Sequence, residues 1–135
     1  MNLETSLKIA AAGMHAQSAR LRVTAENLAN AQSTAQEPGA DPYQRKTISF
    51  GNVLDRATGA QLVQVRRYGQ DMAPFEERFE PSHPAANGAG YVRYPNVNPL
   101  VELMDMREAQ RSFEANLTAM QQASGMLKRT LDLLR

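Results

Sequence analysis

The chain has 135 residues, with 42% hydrophobic and 6% aromatic content and no tryptophan, which suits one ordinary domain or a small domain carrying long helical arms. Fifteen basic and fourteen acidic residues nearly cancel to a formal +1, and no charge block occurs. That excludes a broad electrostatic footprint for nucleic acid. With no cysteine, disulfide frameworks and cysteine-based metal or redox chemistry are excluded as well.

The first predicted element is a helix from about residue 3 to 31. Leu3, Leu7, Ala10, Met14, Gln17, Leu21, Thr24 and Leu28 alternate steps of four and three, a heptad seam. A flanking row, Ile9, Ala12, Ala16, Ala19 and Val23, widens the apolar arc with mostly small residues. So wide an arc packs against more than one neighbour. At its end stands "ENLAN", where Asn27 and Asn30 lie three apart on one helix face and Leu28 closes the seam. Two readings of the asparagines stay open. They stop the helix, or their side chains reach a partner helix or a backbone turn and fix axial register. Under the second reading, alanine at both positions spares monomer helicity and impairs assembly. Gln17, Thr24, Gln110 and Ser124 interrupt the seams in the same way.

The period changes in the middle. "PYQRKTISF" (42–50), "AQLVQVRRY" (60–68) and "GYVRYP" (90–95) predict short strands, separated by turn-rich stretches such as "QEPGADP" and "PSHPAANGAG". No tandem repeat or low-complexity linker is present. A third segment, from Pro99 to about Leu134, predicts a helix about 50 Å long at 1.5 Å per residue. Asn98 followed by Pro99 is its start signal. Leu103, Met106, Gln110, Phe113, Leu117, Met120, Ser124, Leu127, Leu131 and Leu134 keep an unbroken seam, and acids near the start and bases near the end suit the macrodipole. The predicted fold class is α+β. Long N- and C-terminal helices (1–32 and 98–135) pair as one coiled-coil-like helical domain around a small, irregular β-rich insert (33–97).

Reaction chemistry finds no anchor, and the chain is read as a non-enzyme with no catalytic residue, cofactor or metal. His15 and His83 fall in different segments, with no second ligand at metal spacing. The carboxylates of "FEERFEP" (75–81) read as turn or solvated-strand residues. "NGAGY" lacks the spacing of a phosphate loop. Arg66 and Arg67 form a small basic spot, read as salt-bridged or in a subunit contact. The methionines of the last helix read as core or interface filling. The N-terminus shows no basic region followed by a sustained apolar core, so no cleaved secretory signal is expected. No run reaches the roughly 20 apolar residues of a spanning helix.

The residues "AAGMHAQSARLRVTAENLANAQST" (11–34) resemble the N-terminal signature of bacterial flagellar rod, hook and hook–filament junction proteins. "EAQRSFEANLTAMQQASGMLKRTLDLL" (108–134) resembles the family's partner helix. "PYQRKTISF", "PSHPAANGAGYVRYPNVNPLVELMDM" and "EAQRSFEANL" are similar to its small, C-type proximal-rod members. The resemblance covers nearly the whole chain and is weakest over about 51–72. Met14 stands where leucine is common and Phe113 where tyrosine is common.

The resemblance implies a structural subunit of the basal-body proximal rod, assembling helically into a tube that transmits torque and encloses the export channel. It implies export without a cleaved signal through the flagellar type III apparatus, and a place in the periplasm-spanning rod. Implied partners are copies of itself, other rod proteins, the inner-membrane ring and export-gate components, and the export apparatus, with no nucleic acid and no membrane insertion. The expected packing residues are Leu3, Leu7, Met14, Leu21, Asn27, Leu28 and Asn30, then Leu103, Met106, Phe113, Leu117, Met120, Leu127 and Leu131. The alternatives are another axial rod protein of the family, or a cytosolic helical adaptor or chaperone.

Overall fold

A computed structural model describes residues 2–134. Along the chain, two long helices come before and after four strands: α1 (Leu3–Ala29), β1 (Lys46–Leu54), β2 (Gln61–Gln70), β3 (Glu76–Phe79), β4 (Tyr91–Tyr94) and α2 (Pro99–Leu133). The α+β class is as the patterning predicts, and strands form at all three expected places, although β1 begins four residues later than "PYQRKTISF" (42–50) and runs on to Leu54. The fourth, β3, falls within "FEERFEP".

α1 forms because its run is rich in alanine and leucine and free of proline. Asn2 caps it: the Glu4 N–H reaches the Asn2 side-chain oxygen at 3.4 Å, and the Ser6 N–H reaches its carbonyl at 3.1 Å. α2 starts where Asn98-Pro99 predicts, with the Leu100 N–H donating to Asn98 Oδ1 at 3.1 Å.

The chain forms two compact units. The first takes residues 2–21, 48–67 and 107–134 of those described. In it the helices run antiparallel. Gly13 faces Asn116, and seven residues on, Arg20 Nη2 lies 3.4 Å from Glu108 Oε2. The approach is close enough that a Cβ on Gly13 would stand 2.7 Å from Asn116 Nδ2. Gly13→Ala gains about 1 kcal/mol of helix propensity, yet it must displace an amide that donates to the Ser112 carbonyl at 3.0 Å. G13A is therefore expected to be no more stable than the parent in urea unfolding. In an N116A background the same change is expected to stabilise by about that 1 kcal/mol.

The β1–β2 hairpin closes in the same unit. The Asp55 N–H bonds to the Ala60 carbonyl at 2.8 Å, the Gly59 N–H bonds to the Asp55 carbonyl at 2.8 Å, and Gly59 supplies the required positive φ of 67°. The Thr58 hydroxyl and the Ala57 N–H hold the Asp55 carboxyl below its ordinary pKa, with help from Lys8, whose ammonium lies 3.4 Å away on α1.

The second unit takes residues 22–47 and 68–106. β3 and β4 pair antiparallel from Glu76↔Tyr94 to Phe79↔Tyr91. Val92 and Tyr94 turn inward onto Ala85, flanked by Ala35 and Ala86, to make a small core. Asn87 and Gly90 (φ 84°) form the turn before β4.

Which side of each apolar arc is buried differs from the seam position. On α1 the buried residues are Ala10 and Thr24 of the seam, Ala16, Ala19 and Val23 of the flanking row, and Asn27, which stands in neither. On α2 they are Glu102, Ala109 and Ala123, each one residue ahead of a seam position. Small side chains give a close helix approach. The large seam residues of α2 are left at the edge or outside.

Candidate functional site

Two features stand out, a buried polar tie and an uncovered helix face. The tie centres on Asn27, 1% exposed on the last turns of α1. Its Oδ1 accepts from the Lys46 N–H and the Tyr43 hydroxyl, both at 2.8 Å. Its Nδ2 donates to the Lys46 carbonyl at 2.8 Å and to Glu102 Oε2 at 3.3 Å. Both acceptor positions and both donors of the amide are thus used. The two bonds to Lys46 join its backbone to the helix as a neighbouring strand would.

Glu102 is fully buried in the first turn of α2. Its other oxygen accepts from Arg45 Nε at 2.5 Å. Arg45 also lies 3.5 Å from Asp71 and 4.0 Å from Asp105. Burial opposes the charge on Arg45, but the Glu102 bond and the charges of Glu102, Asp71 and Asp105 outweigh it and hold its pKa above the ordinary value. Burial, then Glu26 and Glu102, raises the Tyr43 phenol pKa, which keeps the hydroxyl proton that Asn27 receives. Asn96 closes the network. Its Oδ1 accepts from the Arg45 N–H at 2.8 Å, and its Nδ2 donates to the Asp71 and Ala73 carbonyls at 3.0 and 3.1 Å. Lys46 also pairs with Glu26.

Asn27 and Asn30 therefore do different work. Asn30 donates to the Glu26 carbonyl at 2.9 Å and accepts from the Ser33 hydroxyl at 3.0 Å, which finishes the helix. Asn27 fixes register within the chain's own fold. Asn27→Ala leaves the Lys46 N–H and C=O, the Tyr43 hydroxyl and Glu102 each short of a partner, and is expected to cost about 2–3 kcal/mol. Asn30→Ala, at a half-buried helix end, is expected to cost about 0.5 kcal/mol. All four tyrosines (43, 68, 91 and 94) lie in this unit and no tryptophan masks them, so tyrosine fluorescence during urea unfolding measures both changes.

Among the remaining sequence-predicted packing residues, Leu3, Leu7, Met14, Leu21, Leu28, Met106, Phe113 and Met120 are half-buried. Leu103, Leu117, Leu127 and Leu131 are exposed, together with Leu100, Met104, Met126 and Leu134. Along α2 these apolar side chains are left uncovered by the described residues. Gln17 Oε1, on the α1 seam, is buried without a hydrogen-bond partner.

Arg45, Glu102, Tyr43 and Asn96 escape sequence reasoning. An acid in the first turn of a helix reads as a macrodipole residue, and nothing local marks Arg45 as its partner. The tie is closed to substrate, with its central carboxylate wholly buried. Among the described residues no group of three His, Cys, Asp or Glu side chains is placed to hold a metal ion. Among them, too, no helix is long and apolar enough to cross a membrane.

Residues 89–133 match the family described as flagellar basal body rod FlgEFG protein C-terminal. Over 133 residues, 98% of this chain and 96% of the relative, the sequence is 47% identical to the flagellar basal-body rod protein FlgC of Agrobacterium fabrum. It is 35% identical over 143 residues to the protein of that name in Bacillus subtilis, with 95% of each chain covered. To that of Salmonella typhimurium it is 36% identical over 135 residues, with 98% of each chain covered.

Proposed function

The chain belongs to the flagellar basal-body rod protein FlgC family, and from that premise we propose that it is a structural subunit of the proximal part of the rod. Similarity to its relatives along nearly the whole length is the observation that carries this reading. The uncovered stripe of α2 supports it, because a subunit of a tube keeps apolar surface for its neighbours. Leu103, Leu117, Leu127 and Leu131 then pack against adjacent subunits, together with the half-buried Leu3, Leu7, Met14, Leu21 and Leu28 of α1.

In this reading the paired helices form the inner wall around the export channel, and the strands lie outward. Torque passes through side-by-side helix contacts repeated over many subunits, with no single residue acting as a catalyst. Copies of this chain, other rod proteins and the inner-membrane ring and export gate at the rod base are its partners. The flagellar type III apparatus carries it out of the cytoplasm without a cleaved signal.

Electron cryotomography of basal bodies in cells lacking the gene tests the proposal. Inner-membrane rings without a completed rod or hook, restored by re-expression, are the expected result. Complete flagella in the deletion strain would refute it and favour the helical-adaptor alternative.

A further inference from the structure

The β3–β4 sheet has two unlike faces. Val92 and Tyr94 point into the small core, and Arg78 lies over the Tyr94 ring, 4.2 Å from its centroid. The other face carries Glu77 and Phe79 on β3 opposite Arg93 and Tyr91 on β4. Phe79 is 64% exposed and Tyr91 43%, yet their rings are fixed edge to face, with centroids 5.3 Å apart at 63°. The turn is built closely around them. A Cβ on Gly90 would stand 2.9 Å from the Phe79 ring, so only glycine fits there on both space and φ. The Asn87 side chain accepts from the N–H groups of Ala89 and Tyr91 at 3.0 Å, and the Glu80 N–H bonds to the Gly90 carbonyl at 2.9 Å.

The charges on this face are unbalanced. Arg93 turns its guanidinium to Asp41 at 2.5 Å and to the Gly39 carbonyl at 3.1 Å. Glu77 is left exposed, with no ion pair among the described residues. Two ordered aromatic rings beside a free carboxylate are the chemical complement of an arginine. The rings attract a guanidinium through their faces and the carboxylate takes its forked donors. The chain itself carries such an arginine. Arg66 on β2 is exposed, with its stem along Gly51, where a Cβ would meet Arg66 Cδ at 3.4 Å. Its guanidinium has no ion pair among the described residues.

We propose that Glu77, Phe79 and Tyr91 form a platform that receives Arg66 of a second copy of this chain. The inference rests on the rod-subunit reading. It adds a contact between the strand regions of neighbouring copies to the packing of their helices. The contact is heterologous, joining two different surfaces of the same chain, and repetition of such a contact produces a closed ring or an open helix. Both arrangements belong to tubes.

The chain has no cysteine, so E77C and R66C introduce its only thiols. In basal bodies from gene-deleted cells expressing the E77C/R66C double variant, a short bismaleimide is expected to link this chain into dimers and higher multimers. Neither single variant should link. E77R and R66E alone are each expected to lower the number of hook-bearing cells about tenfold, and the E77R/R66E swap to restore most of them. Purified variants should keep the parent's circular dichroism and urea midpoint, because both residues are exposed.

Normal hook numbers in F79A/Y91A cells, or absence of the cross-link in rods that do form, overturns the platform. Loss of hooks in platform variants with R66E harmless places the arginine on a different protein and overturns the second-copy assignment. Failure of the unaltered chain to restore rods overturns the rod-subunit reading and takes this contact down with it.

Discussion

Arg45→Ala is expected to be among the most destabilising single substitutions in the chain, costing about 3–5 kcal/mol at neutral pH. The cost comes from Glu102, whose side chain is fully buried and whose oxygen meets Arg45 Nε at 2.5 Å. Without Arg45 the carboxylate keeps one neutral donor, Asn27 at 3.3 Å, in a site that water does not reach. The reverse substitution is milder. Glu102→Gln leaves Arg45 with Asp71 and Asp105, and its side chain is 24% exposed, so water screens what remains. About 1–2 kcal/mol is expected for E102Q. The double variant R45A/E102Q removes the uncompensated charge and is expected to be more stable than R45A alone by about 2 kcal/mol. Urea unfolding followed by tyrosine fluorescence measures all three. A loss of 3–5 kcal/mol is a large part of the 5–15 kcal/mol that holds an ordinary domain together, so R45A should unfold around the tie first. Equal losses for R45A and E102Q would show that the carboxylate is not the group left stranded.

The tie also marks where the sequence is legible and where it is not. Both helices are readable, because seams of eight and ten positions leave little room for another period and Asn98-Pro99 marks the start of α2. α1 ends at Ala29, two residues before the pattern suggests, since Asn30 binds back to the Glu26 carbonyl. The side of each apolar arc that turns inward is not readable. Rows one residue apart carry similar hydrophobicity, and the choice falls to the row of alanines that lets backbones approach. β3 is hard to see because its four residues are mostly charged and sit before a proline. Backbone pairing to β4 makes it a strand. Asn27 and Asn30 look alike in sequence, yet one ends a helix and the other saturates four bonds to residues 16 to 75 positions away. Partners that distant leave no local trace. Leu103, Leu117, Leu127 and Leu131, by contrast, stand on the seam and are exposed, and in the proposed assembly they are covered by another molecule.

That other molecule gives the second large effect. Deleting residues 128–135, about two turns of α2, is expected to leave the monomer folded and to abolish rod assembly. Leu131 is 57% exposed, and Leu133 and Leu134 are more exposed still. These side chains therefore add little to the isolated fold, and the unfolding free energy of the truncated chain in urea should match the parent's to within about 0.5 kcal/mol. In the rod packing proposed above the same leucines become buried. At about 1.5–3 kcal/mol for each fully buried leucine, three of them supply on the order of 5 kcal/mol per subunit. Repetition multiplies that loss, since every subunit along the tube lacks the same contact. The expected phenotype is non-motile cells whose basal bodies stop at the inner-membrane ring, with the truncated chain still folded when purified. Its secretion into the medium in a strain that cannot complete the rod would separate failed assembly from failed export. Motile cells carrying the deletion would show that the end of α2 is dispensable, and would move the subunit contact to the exposed leucines nearer its start.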